Sequence, residues 1–131
     1  MDMEYKHSRN SVYLINYHLI WCPKRRKAVL IGKIKDRYEQ IIKQVAKEND
    51  LSILAMEVMP DHAHLFISAY PTVSVHKFIK LFKGRSSNIL RKEFPELLKL
   101  PSLWTHSYFV STAGNISNET ITKYIQMQSK S

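Results

Sequence analysis

Residues Leu51 to Tyr70 read LSILAMEVMPDHAHLFISAY. Two apolar runs, Leu51 to Met59 and His62 to Tyr70, flank Pro60-Asp61, a pair that favours a turn. Both runs are short enough for strands. The second alternates, with Ala63, Leu65, Ile67 and Ala69 on one face and His62, His64, Phe66 and Ser68 on the other. A sheet built on these strands can bury one side and offer histidines on the other.

Working outward gives the remaining elements. Upstream, Ile34, Tyr38, Ile41, Ile42, Val45, Ala46 and Asn49 recur at helical spacing and predict a helix ending near Asp50. Before it, Val12 to Trp21 is rich in β-branched and aromatic residues and predicts a strand closed by Pro23, with Lys24-Arg25-Arg26-Lys27 as a basic loop. Downstream, Ser74 is placed to cap a second helix carrying Val75, Phe78, Ile79, Phe82, Ile89 and Leu90 on one face. A loop from Pro95 to Pro101 leads to a fourth strand, Leu103 to Ser111, and a third helix starts near Ser117. The order β-α-β-β-α-β-α predicts an α+β domain over residues 1–131. Its first six elements make the ferredoxin-like, RRM-like βαββαβ arrangement, an antiparallel sheet with helices on one face.

The charge balance narrows the partners. Twenty Lys and Arg against eleven Asp and Glu leave a net charge of +9 and favour a polyanion. The most apolar stretch, Val12 to Cys22, is broken by Asn16 and His18 and is far shorter than the roughly 20 residues of a spanning helix. The N-terminal residues lack the apolar core of a secretory signal, and Cys22 is the one cysteine, so intrachain disulfides and Cys-rich zinc sites are excluded. A cytoplasmic protein without a membrane partner is expected.

Two residue pairs carry candidate chemistry. On a strand, His62 and His64 share a face about 6.6 Å apart, close enough for both imidazoles to meet one ion. The same spacing also fits two polar residues on a solvated strand face. On the last helix Tyr124 and Gln128 stand four residues apart on one face, with Ile121 and Ile125 beside them to dock it. A tyrosine there is, by itself, more often a core or interface aromatic, and a glutamine more often a surface residue.

Together these residues resemble a known family. Met59-Pro60-Asp61-His62-Ala63-His64-Leu65 is similar to the His-hydrophobic-His motif of the HUH nucleases. Lys123-Tyr124-Ile125-Gln126-Met127-Gln128 resembles the nucleophile helix of the single-tyrosine transposases of the insertion-sequence 200/605 family. Tyr17 to Lys24, Lys83 to Ser87 and Trp104 to Gly114 extend the resemblance from Ser11 to Gln128. The resemblance implies that His62, His64 and Gln128 bind a divalent cation, Mg²⁺ or Mn²⁺, and that Tyr124 attacks a scissile phosphate to leave a 5′-phosphotyrosine. It implies cleavage and rejoining of single-stranded DNA at insertion-sequence ends, recognition of a DNA hairpin, and a homodimer whose active sites are shared between subunits.

Lys24, Arg25, Arg26 and Lys27, with Lys77, Lys80, Lys83 and Arg85, are candidate phosphate contacts. His18 and His106 lie in family-like segments and are candidates for supporting or DNA-contacting groups, or for satisfied sheet histidines. His7 and His76 are read as surface residues. Two other functions compete. A non-enzymatic RRM-like RNA-binding module shares the element order, yet the third strand lacks that family's aromatic-rich pattern. A metal-dependent hydrolase would use water as nucleophile and keep Tyr124 as a structural residue.

Overall fold

The computed structural model describes residues 14–112 and 118–130, with side chains for 14–112 and 122–129. Ser11, the Val12 start of the first strand, His7, Gly114, the Ser117 helix start and the Ile121 side chain lie outside the described residues. Strand β1 (Ile15–Trp21) leads through a 3-10 turn at Lys24–Arg26 to helix α1 (Gly32–Glu48). Then come β2 (Ser52–Met59), β3 (His62–Ala69), α2 (Val75–Glu93), β4 (Phe109–Thr112) and α3 (Asn118–Met127). The sheet is fully antiparallel, in the order β2-β3-β1-β4 expected of the βαββαβ arrangement.

The alternation of β3 sets the two faces. Ala63, Leu65, Ile67 and Ala69 are each no more than 2% exposed. Their β1 partners in register, Trp21, Leu19 and Tyr17, share that side. Onto it pack Ile34, Tyr38, Ile41, Ile42 and Val45 of α1 and Phe78, Ile79, Phe82 and Leu90 of α2. The other face carries His18 and Ile20 of β1, His62, His64 and Phe66 of β3, Glu57 of β2, and Phe109 of β4.

Helix α1 stops at a Schellman cap. Asp50 takes φ 56°, Leu51 N–H donates to Ala46 O at 2.9 Å, and Leu51 is buried beneath the last turn. At the start of α2, Ser74 stands in the cap position with extended backbone, but its side chain makes no capping hydrogen bond. The loop after α2 contains a 3-10 turn at Pro95–Lys99.

The fourth strand is shorter than expected. Leu103 and Trp104 are buried, yet their backbone pairs only with the residues just past the end of β1. Lys24 N–H donates to Leu103 O at 2.7 Å, Thr105 N–H donates to Cys22 O at 3.0 Å, and Trp104 bridges Pro23. The Lys83 ammonium then gathers the carbonyls of Thr105, His106 and Ser107 at 2.7, 3.4 and 3.1 Å. Carbonyls turned toward one cation cannot alternate in a ladder, so pairing resumes only at Phe109.

Candidate active site

β3 presents both histidines on the open face of the sheet, with ring centroids 5.0 Å apart. His62 Nδ1 bonds Asp61 Oδ1 at 2.8 Å. His64 Nδ1 bonds His18 Nε2 at 3.0 Å, and the His18 ring stacks between His64 and Phe66. In each histidine the Nδ1 is engaged and the Nε2 is left by these bonds. Burial, then the neighbouring His62 and His18, push the His64 pKa down to about 4. A neutral imidazole with a lone pair is therefore its form at neutral pH, and it is the form that ligates metals.

Both histidines line a cleft of 520 Å³ with Glu57, Asp61, Arg26, and Thr122, Ile125 and Gln126 of α3. The donor chemistry fits a divalent cation at the two imidazoles, with their outer nitrogens held by a carboxylate and a second imidazole. Among the described residues, no three His, Cys, Asp or Glu side chains converge as a complete set.

Tyr124 and Gln128 form a second group. The Tyr124 hydroxyl is 3.2 Å from Ser107 Oγ, and Ser107 donates to Gln128 Oε1 at 2.8 Å. Gln128 Nε2 donates back to the Tyr124 carbonyl at 3.2 Å, and Gln128 is 5% exposed. The Tyr124 ring packs against Phe109 with centroids 5.7 Å apart. Burial pushes the phenol pKa up to about 12, against the lowering effect of the Ser107 and Thr105 hydroxyls. In this arrangement the Gln128 oxygen faces Ser107, while the α3 residues lining the histidine cleft are Thr122, Ile125 and Gln126.

The basic candidates divide. Among the described residues, Lys24, Arg25, Lys27, Lys77 and Lys80 make no ion pair, and all but Lys24 are exposed. Arg26 pairs with Asp61, Arg85 pairs with Glu48, and Lys83 is spent on three carbonyls. Burial pushes Lys83 down to about 8, which still leaves it charged at neutral pH, as three acceptors require. His106 is exposed, and His76 bonds the Tyr108 hydroxyl.

Asp61, Glu57 and Ser107 escaped sequence reasoning as site residues. Asp61 adjoins a candidate ligand at a turn and Glu57 pairs with His64 in register, so a signal existed for both. Ser107 lay in the family-like segment Trp104 to Gly114 but carried no signal of its own.

Comparison with known proteins gives the family. The family model described as "Transposase IS200 like" matches residues 11–128. The ISDra2 transposase TnpA of Deinococcus radiodurans is 38% identical over 131 residues, 98% of this chain and 94% of that protein. The transposase for insertion sequence element IS200 of Salmonella typhimurium is 29% identical over 115 residues, 86% of this chain and 75% of that protein. A crystal structure from Deinococcus radiodurans, described as a transposase, superposes with a TM-score of 0.87 at 38% identity, covering 94% of this chain and 97% of that one. A REP-associated tyrosine transposase, solved bound to a REP hairpin, shares the fold with a TM-score of 0.54 at 14% identity, over 91% of this chain and 68% of that one.

Proposed function

The chain belongs to the IS200-like transposase family, and from that membership we propose that it cleaves and rejoins single-stranded DNA at insertion-sequence ends, with Tyr124 as the covalent nucleophile. The observation that carries this reading is the pairing of His62 and His64 on one sheet face, each with Nδ1 engaged, beside a helix bearing Tyr124.

Tyr124 Oη attacks the scissile phosphorus and the P–O3′ bond breaks. The 5′ side of the break stays on the phenol as a phosphotyrosine, and the 3′ oxygen leaves as a hydroxyl after taking a proton. A DNA 3′-OH then attacks the phosphotyrosine, the P–Oη bond breaks, and the phenol is restored. Bond energy is conserved throughout, so no nucleotide triphosphate is required. A phenol with a pKa near 12 is only about one part in a hundred thousand ionised at pH 7. Without the Ser107 and Thr105 hydroxyls that cost would be higher still. His62 and His64 would hold Mg²⁺ or Mn²⁺, which supplies charge stabilisation at the phosphate oxygens. Gln128, as a third ligand, would have to exchange Ser107 for the cation.

Of the basic candidates, Lys24, Arg25, Lys27, Lys77 and Lys80 remain for phosphates. Hairpin binding is proposed by analogy with the REP-associated transposase, which was solved with a hairpin. A homodimer is proposed with β4 as the joining edge. This strand is four residues long and pairs on one side with β1.

The test is a denaturing gel of the protein incubated with labelled single-stranded DNA carrying a hairpin, in Mn²⁺. A covalent protein–DNA adduct, absent in Tyr124→Phe and in EDTA, is expected. Cleavage that persists in Tyr124→Phe would instead identify a hydrolase. Binding without cleavage would identify a binding module.

A further inference from the structure

Two consecutive non-glycine residues, Arg25 and Arg26, hold φ of 55° and 53°. L side chains disfavour that region, and it persists where the surroundings fix it. Here the surroundings are definite. Arg26 Nε lies 3.1 Å from Asp61 Oδ2, and Arg26 Nη1 donates to the Ile125 carbonyl of α3 at 3.4 Å. The other Asp61 oxygen, Oδ1, is 2.8 Å from His62 Nδ1. One guanidinium thus joins three segments: the basic turn after β1, the β2–β3 turn, and the last turn of the helix bearing Tyr124. We propose that Asp61 and Arg26 are positioning residues that fix the tautomer and orientation of His62 and tie it to the seating of α3.

The chemistry follows from donor counting. A carboxylate accepts, so Asp61 Oδ1 requires His62 Nδ1 to carry the proton, which leaves the Nε2 lone pair for a ligand. With Arg26 on its second oxygen, the carboxylate is held at both ends. The Ile125 carbonyl belongs to the last turn of α3, where backbone acceptors lack intrahelical partners and a cation is favoured. Gln128 Nε2 satisfies the neighbouring Tyr124 carbonyl in the same way. Both members of the Arg26–Asp61 pair are about one-third exposed. A pair so placed adds little to overall stability, so its effect belongs to geometry.

This inference rests on the metal-dependent reading above, and the experiment separates the two. The full chain and its Asp61→Ala, Asp61→Asn and Arg26→Gln variants are titrated with Mn²⁺ by electron paramagnetic resonance. The His62 tautomer is read by ¹⁵N NMR without metal, amide exchange is followed in α3, and hairpin-DNA binding is measured against salt. Asp61→Ala should weaken Mn²⁺ binding 10- to 100-fold and leave His62 a mixture of tautomers. Asp61→Asn, which keeps an acceptor oxygen, should fall between. Arg26→Gln should weaken Mn²⁺ less, speed exchange in α3, and leave the salt slope of DNA binding unchanged.

Wild-type protein that binds Mn²⁺, with Asp61→Ala matching it in affinity and tautomer, would overturn the inference alone. So would an Arg26→Gln variant with unaltered Mn²⁺ affinity and α3 exchange whose salt slope falls by about 0.7, the signature of a lost single-strand phosphate contact. Wild-type protein that binds no Mn²⁺ would overturn the metal reading. The tautomer of His62 would still report on its link to Asp61.

Discussion

Ser107 donates its hydroxyl proton to Gln128 Oε1 at 2.8 Å. Having one proton, it can meet the Tyr124 hydroxyl, 3.2 Å away, only as an acceptor while that bond lasts. Stabilising a phenolate requires Ser107 to turn its proton toward Tyr124 and release the Gln128 oxygen. One serine therefore serves both the proposed nucleophile and the proposed third ligand.

Ser107→Ala should slow adduct formation at fixed pH, because the phenolate loses the donor that Ser107 becomes on turning away from Gln128. The rising limb of the pH–rate profile should move to higher pH. Seating of α3 should weaken by about 1 kcal/mol, the usual worth of one such hydrogen bond. An unchanged pH profile would mean that the bond has no part in the chemistry.

Lys83 makes a different prediction from the other lysines. Its ammonium holds the carbonyls of Thr105, His106 and Ser107, so it shapes the loop that presents Ser107. Lys83→Met should cut the adduct rate and destabilise the fold by about 1–3 kcal/mol, since the charge-assisted bonds of a largely buried ammonium to three carbonyls are lost. The salt dependence of DNA binding should stay the same. Lys80→Met should do the reverse, reducing the salt slope with the fold intact. Binding isotherms at several salt concentrations distinguish the two.

That contrast shows where the sequence was legible. The β2–β3 pair and its histidine face could be read because a period of two needs no distant partner. The fourth strand could not. Leu103 to Val110 is apolar enough for a strand, but Lys83, some twenty residues upstream, takes three of its carbonyls. His62 with His64, and Tyr124 with Gln128, could be picked out as candidates by motif spacing alone, although Gln128 falls in a 3-10 turn just past α3. Ser107 could not be, because its role exists only once α3 docks against the loop before β4. Arg26 looked like a phosphate contact because nothing in Lys24-Arg25-Arg26-Lys27 announces two left-handed residues.

Packing beneath the sheet sets a limit on what the site can lose. Phe82 is fully buried, stacked against Trp21 with centroids 6.1 Å apart and edge-on to Phe78 at 6.2 Å. Phe82→Ala should cost about 3–5 kcal/mol, from lost transfer energy and the cavity left behind. Urea titration checks the value. A loss below 1 kcal/mol would mean that α2 closes over the gap.

The histidine face should make the metal-free protein acid-sensitive. Burial, then His62 and His18, lower the His64 pKa from 6.5 to about 4, and burial lowers His18 in the same direction. Above pH 6.5 folded and unfolded chains both carry neutral His64, and its contribution to stability is complete. As pH falls below 6.5 the unfolded chain binds a proton that the folded chain resists, so stability declines until about pH 4, where the folded form also titrates. Thermal unfolding in EDTA should give a melting temperature that drops steadily between pH 6.5 and 4. The drop should be shallower in His64→Asn. An identical decline in wild type and His64→Asn would place the acid sensitivity elsewhere in the chain.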